Sequence, residues 1–144
     1  MRVGLLMGGR SGEHAISLVS GEAVRAALVE LGYERFELVL TQDGRAQWSA
    51  DGSSIVGPVG RSLAALEAWA PDVVFIAMHG EDGEDGRIQG ALDLLGIPYQ
   101  GSGVAASAIA LDKARTKALY RQAGLPVADD RVLRQGDRVD WAEI

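Results

Sequence analysis

The densest group of side chains that could do chemistry lies between His79 and Gly86, where one histidine and four carboxylates alternate with three glycines. A histidine can change charge near neutral pH, and carboxylates accept hydrogen bonds from ammonium groups. Glycines leave backbone amides open to a ligand. The segment HGEDGEDG is therefore a candidate ligand-binding loop.

The elements on either side of this loop would give it a fixed position. The apolar run at 73–78 is short, β-branched and aromatic, which predicts a parallel strand buried on both faces. The helical spacing of apolar residues from Ile88 to Leu95 predicts a helix, which Gly96 and Pro98 end. The loop thus joins the carboxyl end of a strand to a helix N-terminus, and this is the edge of an α/β sheet where ligands bind.

A second glycine-containing loop, GGRSGEH, follows the apolar run at residues 3–7, which predicts another buried strand. A helix is expected from about Ile16 to Leu31, and a strand over 36–40 would complete a βαβ unit with a right-handed crossover. Because parallel strands bring their carboxyl ends to one edge, we expect Glu13 in this loop and His79 to face one pocket.

The remaining patterns add smaller elements. They predict a hairpin of weak strands flanking Asp51 and Gly52, as a small excursion at the sheet edge. They also predict helices over 62–69, 104–111 and 114–123, and a strand over 127–133. We expect a doubly wound, mostly parallel α/β domain over residues 1–112. Residues 113–144 are expected to form a connecting helix and the first strand of a second, truncated domain.

Composition excludes several classes of function. The 144 residues have a formal net charge of −6, which argues against a nucleic-acid partner, and they include no cysteine for a disulfide or thiolate site. No apolar run approaches the roughly 20 residues of a membrane helix. The N-terminus has no signal-peptide pattern. We expect a soluble, cytoplasmic protein without a membrane partner.

Two other ligand classes are weakly supported. The glycines of 8–12 lack the G-x-G-x-x-G order of a dinucleotide site, and only Asp43, inside a turn, follows the second strand. The acids of the His79 loop lack the spacing of an EF-hand, and acids are expected at a helix start in any case. We interpret them as caps and solvated charges, and we predict no metal site in this chain.

Each candidate residue also has a purely structural interpretation. Glu13 could merely complement a helix dipole, which contributes about 0.3 to 1 kcal/mol. A lone histidine such as His79 is more often structural than catalytic, and we interpret His14 as structural. Lys113 and Lys117 could be solvated lysines. From spacing alone these interpretations are the stronger ones.

A dense series of residue types favours functional roles for these residues over the structural interpretations. The series comprises Gly8-Gly9-Arg10-Ser11, Glu13-His14, Ile16-Ser17-Leu18, Ser20, His79-Gly80, Gly83-Glu84-Asp85-Gly86, Gln89-Gly90, Leu94 to Tyr99, Gly101-Ser102-Gly103, Asp112-Lys113 and Thr116-Lys117. It resembles the N-terminal part of D-alanine-D-alanine ligases, which are ATP-grasp enzymes. The resemblance implies a Rossmann-like pre-ATP-grasp domain followed by the start of an ATP-grasp subdomain.

Residue roles follow from this resemblance alone. In the family, the residue matching Glu13 holds the ammonium group of the first D-alanine, and the one matching His79 lies beside that substrate and tunes the charge around it. Ile16 would pack on the substrate methyl group, although a core position fits its pattern equally well. Lys113 matches a lysine that reaches the nucleotide phosphates. The implied site is thus Glu13, Ile16 and His79 for D-alanine, with Lys113 for ATP.

The implied reaction joins two D-alanines through an acyl phosphate made from ATP, for peptidoglycan precursor synthesis. D-alanine and ATP are the expected partners, Mg²⁺ and most ATP contacts would come from a C-terminal part outside this chain, and a homodimer is left open. The 144-residue chain alone is expected to be inactive. Two alternatives remain: a non-catalytic domain that binds an amino acid or a protein partner, and one subunit of a split ligase.

Overall fold

The computed structural model describes residues 1–50 and 53–139, which form one sheet and a set of surrounding helices. The strands are β1 (Arg2–Gly8), β2 (Glu34–Leu40), β3 (Arg45–Ala50), β4 (Ser53–Pro58) and β5 (Val73–Ile76). The helices are α1 (His14–Glu30), α2 (Val59–Trp69), α3 (Arg87–Leu95), α4 (Val104–Leu111) and α5 (Lys113–Gln122). In these described ranges, no helix has the length and apolar character needed to cross a membrane.

The sheet has the order β4-β3-β2-β1-β5 and mixes two strand directions. The central strand β1 pairs in parallel with β2 and with β5. Strand β3 pairs in antiparallel fashion with β2 on one side and with β4 on the other. The predicted hairpin at the sheet edge is confirmed as β3 and β4, which extend the main sheet beyond β2. Its turn at 51–52 lies outside the described residues. The α/β class is confirmed.

Hydrophobic cores lie on both faces of the sheet, as a doubly wound fold requires. On one face, Leu66 of α2 and Leu92 of α3 belong to one core cluster with Leu6 and Phe36. On the other face, Leu28 of α1 belongs to the cluster that includes Leu5. Because both cores meet at β1, its apolar run from Val3 to Met7 is buried throughout.

The strand predicted over 73–78 is shorter and less buried than its composition suggests. It ends at Ile76, and Phe75 keeps 36% of its surface exposed. The prediction of burial on both faces is therefore wrong for this strand. The physical reason is position, because β5 is an edge strand of the sheet and only β1 flanks it as a full strand. Ala77 and Met78 continue beyond it as buried irregular chain.

The C-terminal segment also departs from expectation. Helices α4 and α5 confirm the predicted pair, but residues 127–133 form no strand, and that prediction is wrong for this chain. A strand needs a partner for its backbone hydrogen bonds, and none pairs with this segment within the described residues. Instead the segment lies against α5, where Lys117 Nζ donates to the carbonyl of Ala128 at 3.0 Å. The domain boundary at Asp112 stays a prediction.

Close packing between α1 and β1 depends on Gly21. A Cβ at this position would lie 2.7 Å from Met7 Sδ and 2.9 Å from Met7 Cβ, closer than real side chains approach. We therefore predict that Gly21→Ala lowers the free energy of unfolding by about 1 to 3 kcal/mol, although alanine is the better helix former by about 1 kcal/mol. Urea unfolding followed by circular dichroism measures this change.

The matched control is Gly60→Ala in α2, where an added Cβ meets nothing within 4 Å. This change should leave stability unchanged or raise it by up to about 1 kcal/mol. Equal effects of the two substitutions would contradict the proposed close contact.

Candidate functional site

Two loops meet at the carboxyl edge of the sheet. The first loop (residues 9–13) follows β1, and the second loop (residues 77–86) follows β5. Because β1 and β5 are parallel, with Leu6 paired to Ile76, both loops leave the sheet at the same level. The expectation that the two glycine-bearing loops share one edge is confirmed.

Ser17 joins the ends of these two strands to α1. Its hydroxyl oxygen accepts a hydrogen bond from the amide of Gly8 at 2.7 Å and donates to the carbonyl of Ala77 at 2.7 Å. The side chain is completely buried. One hydroxyl therefore satisfies two backbone groups that the β1–β5 ladder leaves unpaired. It also holds the start of α1 beside both loops.

Ser11 connects the first loop directly to the second. Its hydroxyl donates to the carbonyl of His79 at 3.0 Å and accepts from the amide of Glu13 at 3.2 Å. Gly80 follows with a φ of +67°, and a Cβ there would overlap the Oε2 atom of Glu13. The Glu13 carboxylate thus lies against the backbone of Gly80, next to His79.

His79 is held from both sides of its ring. Its Nε2 atom is 3.0 Å from Ser20 Oγ on α1, and its Nδ1 atom is 4.0 Å from Glu84 Oε1. The other carboxylate oxygen of Glu84 accepts from the amide of Gly80 at 2.8 Å. These contacts orient the imidazole while leaving it partly exposed.

A cavity of about 680 Å³ opens beside His79 on the α1 side of the sheet. Ser20, Glu84 and His79 give it a polar end, and Phe75 and Ala106 are among its apolar lining residues. Glu13 does not line it. The two predicted substrate residues are therefore neighbours in adjacent loops, but only His79 faces this cavity.

Three further residues from the sequence analysis lie at the start of α1. Glu13 occupies the position just before α1, and its side chain is exposed. Ile16 is 58% exposed, which excludes the core position that its pattern allowed. His14 is structural as expected, because its Nδ1 atom is 2.8 Å from the carbonyl oxygen of Gly9.

The interpretation of the acidic loop as caps and solvated charges needs one correction. Asp85 does act near the start of α3, where its Oδ1 accepts from the amide of Arg87 at 3.1 Å. Asp82, by contrast, is only 5% exposed and pairs with Arg10 of the first loop. The hydrogen bonds from the Arg10 side chain hold the pKa of Asp82 below its usual value. Sequence reasoning missed this pair because the two residues are 72 positions apart.

Lys113 begins α5 with an exposed side chain, and Asp112 caps the helix by accepting from the amide of Arg115 at 3.0 Å. The interpretation of Lys117 as simply exposed is wrong. Besides its bond to Ala128, its ammonium lies 3.6 Å from Asp130.

These observations define the class of domain to which this fold belongs. A mixed α/β sheet with helices on both faces, and with two joined loops at the carboxyl edge of its parallel strands, is the scaffold of a small-ligand-binding domain. An exposed carboxylate beside a partly exposed imidazole gives that edge the means to hold a cationic group.

Comparison with known proteins then shows which proteins this chain resembles. Residues 59–102 match the family model described as D-ala D-ala ligase N-terminus. The chain is 50% identical over 140 residues to a D-alanine-D-alanine ligase of Chromohalobacter salexigens, covering 97% of this chain and 38% of that protein. It is 48% identical over 134 residues to the same enzyme of Gluconobacter oxydans, covering 92% of this chain and 39% of that protein.

Solved structures agree. The D-alanine-D-alanine ligase of Coxiella burnetii superimposes with a TM-score of 0.78 at 27% identity, over 99% of this chain and 48% of that one. D-alanyl-alanine synthetase A of Vibrio cholerae superimposes with a TM-score of 0.67 at 30% identity, over 88% of this chain and 38% of that one. The resemblance found in the sequence is confirmed: this chain has the sequence and fold of the N-terminal part of D-alanine-D-alanine ligases, and it spans less than half the length of these relatives.

The buried hydroxyl of Ser17 generates a prediction. Ser17→Ala would leave the Gly8 amide and the Ala77 carbonyl buried without partners, at a cost of about 2 to 4 kcal/mol. Chemical denaturation should record that loss. Ser54→Ala, which removes an exposed hydroxyl bonded only to Gln47 among the contacts described, should change stability by less than about 0.5 kcal/mol. A Ser17 variant as stable as the Ser54 variant would contradict this role.

Proposed function

We propose that this chain supplies the first D-alanine site of a cytoplasmic D-alanine-D-alanine ligase, an ATP-dependent enzyme of peptidoglycan precursor synthesis. The observation that carries the proposal is the position of the Glu13 carboxylate, which is exposed at the edge of the sheet and lies against Gly80 beside His79. Family similarity over most of the chain supports the choice of ligand.

The chemistry of the site suits a small zwitterionic amino acid. The Glu13 carboxylate would accept hydrogen bonds from the substrate ammonium, and such charge-assisted bonds are about twice as strong as neutral ones. Ile16 lies in the first turn of α1 with an exposed side chain, and it would contact the D-alanine methyl group. His79, oriented by Ser20 and Glu84, would shape the charge around the bound substrate.

In the complete enzyme, the terminal phosphoryl group of ATP would move to a carboxylate oxygen of this first D-alanine, which gives an acyl phosphate and ADP. The amine of a second D-alanine would then attack the acyl carbon, with loss of a proton and release of inorganic phosphate. The residues of this chain hold and orient the first substrate during both steps. Positioning of this kind is a main source of acceleration in phosphoryl transfer.

ATP and Mg²⁺ are proposed for the complete enzyme, with only a small share of the contacts in this chain. Lys113 is a suitable phosphate contact, because its exposed ammonium sits at the start of a helix and carries its charge on a long flexible stem. Over residues 1–50 and 53–139, no three histidine, aspartate or glutamate side chains are grouped so as to hold a metal ion. We propose that the Mg²⁺ ligands lie in the rest of the complete enzyme.

The direct test of the substrate site is Glu13→Gln in the complete enzyme. Loss of the negative charge should raise the KM for the first D-alanine by about tenfold or more, because an ammonium group would lose its ionic partner. Steady-state kinetics with D-alanine as the varied substrate measure this. Glu30→Gln, at the opposite end of α1, is the control and should behave as wild type. A normally folded Glu13 variant with wild-type kinetics would exclude the assignment.

A second substitution separates nucleotide from amino-acid binding. Lys113→Ala should raise the KM for ATP several-fold, roughly as expected for one lost phosphate contact, and should leave that for D-alanine nearly unchanged. Arg115→Ala removes a positive charge from the same helical turn and serves as the control. If both KM values rise together, the damage is structural, and if neither rises, Lys113 is a solvated lysine.

The 144-residue chain by itself should not turn over. Incubated with ATP, Mg²⁺ and D-alanine, it should release no phosphate above background, because the groups that neutralise transferred phosphate are proposed to lie elsewhere. A coupled phosphate assay measures this. Phosphate release that persists through further purification would contradict the proposal that these groups lie outside the 144-residue chain.

A further inference from the structure

Arg10 and Asp82 form an ion pair that spans the two loops. Arg10 Nε donates to Asp82 Oδ2 at 2.8 Å, and Arg10 Nη2 donates to Asp82 Oδ1 at 2.5 Å. The backbone amide of Arg10 lies 3.3 Å from the same Oδ2 atom. This is the bidentate geometry in which a guanidinium and a carboxylate fix each other's orientation as well as their distance.

Asp82 is anchored on the side of the second loop and α3 as well. Its backbone amide donates to Asp85 Oδ2 at 3.2 Å, and its carbonyl accepts from the amide of Ile88 at 3.2 Å. Arg87 Nη1 approaches Asp82 Oδ1 at 3.4 Å. The backbone has a φ of +75°, a left-handed conformation that aspartate tolerates better than most residues. A residue held in this way transmits the position of its partner to the whole loop.

The pair differs from an ordinary surface salt bridge. Exposed pairs contribute little, because water screens them and their side chains are free to move. The Arg10 side chain is 48% exposed, but the Asp82 side chain is only 8% exposed, and its two oxygens face Arg10 and Arg87. The pair of Arg25 and Glu22 provides the contrast, because both of its members are well exposed and lie on the same helix.

We propose that Arg10 and Asp82 are positioning residues that lock the second loop onto the first and so fix His79 relative to Glu13. Arg10 lies three positions before Glu13, and Asp82 lies three positions after His79, so little free chain separates the ion pair from either substrate residue. The only other side-chain bond described between the two loops is that of Ser11 to the His79 carbonyl, a single neutral hydrogen bond. The role assigned to the pair rests on the proposed function, since it concerns the D-alanine site.

The first experiment needs no ligand. Arg10→Gln, Asp82→Asn and the double variant are compared with Glu22→Gln by amide hydrogen exchange and by the His79 imidazole resonances. The hydrogen-bonded amides at positions 80, 82 and 84 should exchange about tenfold faster in both single variants, with the β1 amides nearly unchanged. In the double variant, these amides should exchange no faster than in either single variant. His79 resonances should shift in all three but not in Glu22→Gln.

Two results of that experiment would overturn the proposal. One is faster exchange in β1 as large as that in the loop, which would mean that the pair only stabilises the whole fold. The other is an unchanged set of His79 resonances in Asp82→Asn.

The second experiment measures D-alanine affinity by calorimetric titration of the same chain. Arg10→Gln and Asp82→Asn should weaken binding about tenfold, as misplacement of binding groups does. The affinity of Arg10→Lys for D-alanine should fall between those of these variants and of wild type, because lysine keeps the positive charge but not the planar guanidinium group. Equal affinity in all variants would overturn the positioning role. Failure of the wild type to bind D-alanine would instead count against the proposed function, and the loop measurements would still decide the role of the ion pair.

Discussion

The parallel pairing of β1 with β5 is the constraint on which the rest of the molecule depends. It aligns Leu6 with Ile76 and so brings the two strand ends, and the loops that follow them, to one edge. Burial of β1 between cores on both faces opposes a change of register, because a shift of one residue would move each side chain into the opposite core, where the packing around it differs. Ser17 then bonds to the end of each strand. The fold alone thus positions both loops of the candidate site.

Much of this could be predicted from the sequence, because the relevant signals are local. Short apolar runs and a period of 3.6 residues locate most strands and helices to within a few positions, and they predict α4 with its observed bounds. Glycines directly after two predicted strands indicated both loops. The parallel-strand argument was sufficient to place Glu13 and His79 as neighbours.

The features that escaped prediction depend on distant parts of the chain. Arg10 and Asp82 meet across 72 positions, so no spacing rule could reveal that one acid of the loop is a buried partner. The exposure of Phe75 depends on the order of strands, which places β5 at an edge. Residues 127–133 have the composition of a strand but no partner strand in the described chain, and a strand without a ladder does not form.

A titration of the isotope-labelled chain with D-alanine, followed by the chemical shifts of its amides, tests the central claim most directly. If the joined loops form the first-substrate site, D-alanine should shift the amides of residues 9–14 and 79–84 in a saturable manner, and L-alanine should shift them much less. Shifts confined to α4 and the far wall of the cavity, or equal responses to both enantiomers, would show that the edge between Glu13 and His79 is not the site.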